Sequence, residues 1–251
     1  SEGRKLEPDH RDVVTIFFSD IVGFTTLCSE LTPMKVSDML DRLYQKFDFL
    51  SDHHDVFKLE TIGDAYMAVT NLIKNQTNHV RHIAHFAIDA LKAANETLVD
   101  IDDPSKGFVN IRVGFHVGPV VANMVGSRNP KYTLFGDTVN ISARMESSSF
   151  VNRIQCSHAA AMMLMEQDPH AILRPRGVIN VKGKGEMFTY WLNEVESSKE
   201  EEEEEGPDTQ FFPMGEFRSV SLPGMRYPSL DDLQVSSLVK SLSFRSLEMP
   251  I

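Results

Sequence analysis

The stretch that most constrains this chain is Val13-Val14-Thr15-Ile16-Phe17-Phe18, a β-branched and aromatic run that reads as a buried strand. It ends at Ser19-Asp20, with Gly23 three residues beyond the aspartate. A strand-terminal aspartate commonly caps or turns the chain. The pattern downstream gives Asp20 a second acid to meet. Met39, Leu40, Leu43, Phe47 and Leu50 recur at helical spacing and predict a helix over 34–50. Val56–Leu59 and Ala65–Thr70 flank Thr61-Ile62-Gly63-Asp64 like the arms of a hairpin. Further on, 79–98 has a helical pattern, 109–117 reads as a strand, and 138–147 as a helix opened by Gly136-Asp137. The order predicts an α+β fold, one sheet with helices packed on one face.

Asp64 sits at the hairpin tip, and if the hairpin and the first strand are neighbours, it meets Asp20 at one edge of the sheet. Neither carboxylate has a basic residue beside it in sequence. Two acids that close repel unless a divalent cation neutralises them, and hard oxygen ligands suit Mg²⁺ or Mn²⁺. Magnesium held by a few carboxylates commonly serves substrate phosphates. No Walker A or GxGxxG segment is present to cradle them. Basic groups must then come from separate elements, with Arg112, Arg144 and Lys182 as candidates and Lys184 as a rival to Lys182.

Composition narrows the classes. The 251 residues suffice for one large domain, and no run of eighteen apolar residues suggests a membrane span. A net charge of -11 argues against nucleic acid as a partner. Cys28 and Cys156 have no metal or redox spacing, which fits buried or half-buried thiols in a reducing setting. The chain opens at Ser1 without a charged-then-apolar leader and reads as part of a longer parent. The acidic run Glu200–Glu205 reads as a border before a Ser/Pro/Gly-rich tail. Leu230, Leu233, Leu238, Leu242 and Leu247 form at most a weak stripe there.

Five blocks, "FFSDIVGFT", "KLETIGDAYM", "IRVGFHVGPVVANMVG", "YTLFGDTVNISARMES" and "INVKGKGEMFTYWL", together resemble the catalytic domain of class III nucleotidyl cyclases, in that family's order. The resemblance implies a linker over 1–12, a catalytic domain over 13–196 and a tail over 197–251. It implies a ferredoxin-like, antiparallel-rich sheet with packed helices, working as a head-to-tail homodimer with two composite sites. Asp20, Asp64 and the carbonyl of Ile21 match the ligands of two Mg²⁺ or Mn²⁺ ions per site. Asn140 matches the residue that orients the ribose and Arg144 the one that stabilises the α-phosphate. Arg112 and Lys182 match those that hold the β- and γ-phosphates. The implied setting is a cytoplasmic domain, compatible with a membrane-anchored parent and an upstream regulator.

The same matching places Glu60 and Thr133 at the purine. Guanine offers N1-H and N2-H₂ donors beside the O6 acceptor, and a carboxylate answers the donors; opposite adenine N1, Glu60 sets acceptor against acceptor. Guanylyl members typically carry Glu and Cys at these positions. Thr133 departs from that pattern, and its hydroxyl serves either base. The expectation is a guanylate cyclase, with adenylate or dual-specificity cyclisation and a non-catalytic nucleotide-binding domain as alternatives. The Gly-Gly-acid signature of diguanylate cyclases is absent. Relatives usually carry a glycine where this chain has Ser147-Ser148-Ser149-Phe150, a departure expected to affect a loop. His79, His82 and His85 read as helix residues rather than a metal face, and Met162, Met163 and Met165 as core.

Overall fold

The computed structural model describes residues 8–193, so the acidic run and the leucine stripe lie outside the described residues. Among the described residues, eight strands and five α-helices occur in the order β1 (Asp9–Ile21), α1 (Phe24–Glu30), α2 (Pro33–His53), β2 (Phe57–Ile62), β3 (Ala65–Thr70), α3 (His79–Asn95), β4 (Ile111–Val125), β5 (Lys131–Phe135), α4 (Asp137–Ser147), β6 (Ile154–Ser157), α5 (His158–Gln167), β7 (Leu173–Val181) and β8 (Gly185–Leu192). They form one sheet in the order β2-β3-β1-β4-β6-β8-β7, with β5 paired to β4. β4 and β6 run parallel, and the other pairs are antiparallel. β1 begins at Asp9, within the stretch read as linker.

Local chemistry explains the main helices. Thr32 caps α2 by accepting from the Lys35 N–H, with Pro33 in the first turn, where a missing donor costs nothing. Ser157 does the same for α5 through the Ala160 N–H. On α2, Met39, Leu43 and Phe47 are buried against the sheet.

The expected single helical face is not what the chain builds. Phe17 and Ile21 of β1 pack with Met39, Leu43 and Phe47 of α2, Phe86 and Ala90 of α3 and Leu164 of α5. Phe17 meets Phe86 edge to face, with ring centroids 5.0 Å apart. The alternate residues Val14, Ile16 and Phe18 pack on the other face with Leu134 of β5 and with Val139 and Ala143 of α4. A strand covered on both sides needs apolar residues at every position, which is why its run does not alternate. α4 reaches that second face because β4 has no side chain in the way: a Cβ on Gly114 would sit on the backbone of Met145 and Glu146.

The histidines and methionines of the helices have packing roles. His79 is buried and pairs with Thr15 Oγ1 at 2.6 Å, and His85 pairs with Asp168 at 2.7 Å. Met162 and Met163 join the helical core, whereas Met165 is partly exposed. Cys156 is buried but Cys28 is exposed, because its short helix α1 has no buried residue. The loop after α4 is tied down: Ser149 Oγ donates to the Arg153 carbonyl, and Arg176 donates to the Ser148 carbonyl at 2.6 Å.

Two imidazoles couple this core to pH. Burial holds His79 and His116 down to about 4, and His116 pairs with Ser157 Oγ at 2.7 Å. Their folded values lie below the unfolded one, so their stabilisation is present above about pH 6.5 and is lost as pH falls toward 4. Each contributes at most roughly 3 kcal/mol over that whole window. Urea unfolding at stepped pH is expected to show stability declining below pH 6.5, and His79→Gln is expected to flatten the decline. An identical slope in the variant would contradict this account.

Candidate active site

The site begins where β1 and the β2–β3 hairpin end together. Ser19 pairs with Tyr66 across β1 and β3, so Asp20 comes level with the start of β3, beside Asp64. Gly63 takes φ 64, the left-handed value that a tight turn needs and glycine adopts without strain. The two carboxylates stand close enough for each to act on the other's ionisation, with the Asp64 and Ile21 backbone amides nearby to offset part of it. Burial first, and then the Asp20 carboxylate, push Asp64 up to about 6. A half-buried acid pair in which burial and its neighbour push one carboxyl up is a site short of positive charge, and its oxygen donors fit Mg²⁺ or Mn²⁺.

A third group faces the pair from α2. The buried Tyr44 hydroxyl has no hydrogen-bond partner. Burial, followed by the charges of Asp64 and Asp20, raises the pKa of that phenol. Tyr44 is silent in sequence because it continues the core face of α2, where an aromatic residue reads as packing.

In sequence neither aspartate has a basic neighbour; in the fold one does. Arg112 is the register partner of Asp20 across β1 and β4, and its terminal nitrogen donates to Asp20 Oδ2 at 3.1 Å. Arg112 Nε lies 3.2 Å from Glu146 Oε1, an ion pair without hydrogen-bond geometry, since both atoms are buried and lack such a partner. Burial pushes Glu146 up to about 7, with Arg112 opposing and Asp20 and Asp64 adding to the rise. Sequence reasoning misses Glu146. The signal available is spacing: it lies two residues after Arg144, and at about 100° per residue that is the opposite side of α4.

Asn140 and Arg144 are exposed on the outer side of α4. The fold does not bring them to their own chain's Asp20 and Asp64, because Glu146 already occupies the side of the helix that faces those acids. Glu60 and Thr133 are half-buried on β2 and β5. Leu59, Tyr132, Val139 and Ala143, the chain neighbours of Glu60, Thr133, Asn140 and Arg144, all pack against the second core. Those four candidates are therefore anchored to one rigid body. Lys182 and Lys184 lie in the β7–β8 turn; Lys184 is engaged with Asp137 of α4 at 2.5 Å, and Lys182 is exposed. A concavity of about 740 Å³ between α2 and α3 contains none of the candidates.

Comparisons with known proteins bear on the family and the fold. The model of the adenylate and guanylate cyclase catalytic domain matches residues 6–194. Mouse guanylate cyclase 2G is 48% identical over 191 residues, covering 76% of this chain and 17% of that protein. Human guanylyl cyclase C is 44% identical over 199 residues, covering 77% of this chain and 18% of that protein. The chain thus spans under a fifth of the length of these curated relatives. The guanylate cyclase domain of RhGC from Catenaria anguillulae, crystallised with GTP, superposes with a TM-score of 0.68 at 34% identity, covering 73% of this chain and 97% of that one. The adenylyl cyclase CyaB from P. aeruginosa shares the fold at 24% identity and a TM-score of 0.68, over 76% of this chain and 98% of that one. With the domain model matching most of its length, the chain belongs to the adenylate and guanylate cyclase catalytic domain family.

Proposed function

We propose that this domain converts GTP to 3',5'-cyclic GMP and pyrophosphate by attack of the ribose 3'-hydroxyl on the α-phosphate. The observation that carries the reading is the Asp20–Asp64 pair, brought together at adjoining strand ends beside the Arg112 guanidinium. Asp20, Asp64 and the Ile21 carbonyl are the groups that would hold two Mg²⁺ or Mn²⁺ ions. When bound, such ions supply Lewis-acid polarisation of the hydroxyl and of the phosphate oxygens. Arg112 and Lys182 clamp the β- and γ-phosphates; with Lys184 committed to Asp137, Lys182 is the lysine available for this. Asn140 orients the ribose, and Arg144 stabilises charge growing on the α-phosphate, for which a planar guanidinium fork is suited.

The helix geometry supports a homodimer with two composite sites. Arg144 and Asn140 precede Glu146 by two and six residues, so both are turned about 120–160° away from it on α4. A nucleotide held by Asp20, Asp64 and Arg112 of one chain cannot also lie against that chain's Asn140 and Arg144. A second copy turned head to tail supplies them, and no other subunit is needed because one chain carries both halves.

Glu60 favours GTP, since its carboxylate answers the guanine N1-H and N2-H₂ donors. Thr133 favours neither base, so ATP is the rival substrate. The names of the guanylate cyclase relatives and the GTP-bound domain from Catenaria anguillulae support the guanine reading. Among the described residues no helix is long and apolar enough to cross a membrane. A cytoplasmic position within a larger, membrane-anchored and regulated parent is the setting we propose, on the pattern of the long receptor-type relatives.

Purified protein incubated with GTP or ATP, in Mg²⁺ or Mn²⁺, is expected to yield chiefly cyclic GMP, and a faster rate with ATP would reassign the substrate. Specific activity is expected to rise with protein concentration, because each site needs two chains. Asp20→Ala should abolish cyclisation while leaving the oligomeric state unchanged in sedimentation; retained cyclisation would refute the metal assignment. Glu60→Lys should lower the GTP-over-ATP ratio by about ten- to a hundredfold, the cost of one mispaired buried polar group. Mn²⁺ binding to the nucleotide-free protein, followed by electron paramagnetic resonance, should weaken as pH drops through about 6, where Asp64 takes up a proton.

A further inference from the structure

We propose that Glu146 is a positioning residue that holds the Arg112 guanidinium over the metal carboxylates, ready to pass from Asp20 to the nucleotide's phosphates. The inference rests on the cyclase reading and adds a residue to its phosphate clamp.

Three observations meet here. Gly114 lets the backbone of α4 ride directly on β4 at Met145 and Glu146. Gly114 is two residues from Arg112 on the same strand, hence on the same face of the sheet. The helix therefore delivers the Glu146 carboxylate to Arg112, with side chains 12% and 33% exposed. Asp20 takes the terminal nitrogen of the same guanidinium at 3.1 Å, while Nε faces Glu146 at 3.2 Å without a hydrogen bond.

One cation thus stands between two acids of different fate. Asp20 is a candidate metal ligand, and a cation arriving there competes with Arg112 for it. Glu146 belongs to a helix seated on the strand and keeps its hold on the Nε side. The guanidinium then turns its terminal nitrogens from Asp20 to phosphate oxygens without leaving its place, and none of its positive charge is stranded in either state. Without the Glu146 charge, Arg112 is answered by Asp20 alone, so it obstructs the cation and loses the support that aims it at phosphate.

The test uses Mn²⁺ with inorganic pyrophosphate as the probe, which engages the clamp without base or ribose, read by titration calorimetry. Glu146→Gln is expected to weaken Mn²⁺–pyrophosphate binding about tenfold, the scale of one charge-assisted contact. The KM for GTP should rise more than kcat falls. Glu146→Asp keeps the charge with a shorter reach and should fall between. In an Arg112→Met background, Glu146→Gln or Glu146→Asp should add no further loss, which a merely structural role does not predict. Were the Gln variant not to fold, the Asp variant in the two backgrounds decides by the same comparison. Wild-type binding in Glu146→Gln, or losses that add fully in the Arg112→Met background, would overturn the inference while wild-type cyclisation of GTP keeps the parent reading intact. Wild-type protein that neither cyclises GTP nor binds the probe would overturn both.

Discussion

The burial of β1 on both faces is the constraint on which the other features depend. A strand with Phe17 and Ile21 on one side and Val14, Ile16 and Phe18 on the other cannot be satisfied by a single layer of helices. α2, α3 and α5 cover one face, and α4 with β5 covers the second. Full burial of large side chains contributes about 1.5–3 kcal/mol each, so the central strand is held far more firmly than its ends need to be. That rigidity lets a half-buried acid pair stand at the strand end despite its mutual repulsion. Asp64, which keeps its proton up to about pH 6, records the cost.

Much of this is legible in sequence. The run from Val13 to Phe18, the helical spacing of Met39, Leu43 and Phe47, and the Gly63-Asp64 turn each name their element, because periodicity and turn chemistry are local. The placement of Asp20 beside Asp64 is legible on the condition that β1 and the hairpin are neighbours, which the β1–β3 pairing meets. What escapes is non-local. Nothing in the spacing of Gly114 and Glu146 says that a helix backbone will lie on that glycine, so the second helical face cannot be foreseen. Arg112 is separated from Asp20 by 92 residues, and only sheet register makes them partners. Tyr44 reads as core because its ring is core, and only the hydroxyl faces the acids.

Cys28 and Met165 show the same limit from the side of burial. Both have apolar or weakly polar side chains on helices and read as interior, yet both are exposed. A helix of seven residues with nothing buried, such as α1, carries too little periodic signal to assign a face. Longer helices with a wide apolar stripe, such as α3, leave no such doubt, and its buried residues keep to the stripe.

α4 concentrates the consequences. Val139 and Ala143 pack with β1 and β5, Met145 packs with Ile141 and Val181 in a separate cluster, Glu146 meets Arg112, and the exposed side displays Asn140 and Arg144. Because the helix sits on a glycine with no slack beneath it, Asn140 cannot move appreciably without moving Glu146 as well. In the proposed head-to-tail pair those two residues would serve different sites, Glu146 the phosphate clamp of one and Asn140 the ribose of the other. On that proposal a single close-packed helix–strand contact would set the spacing of both half-sites, with precision inherited from packing rather than from the loops around it.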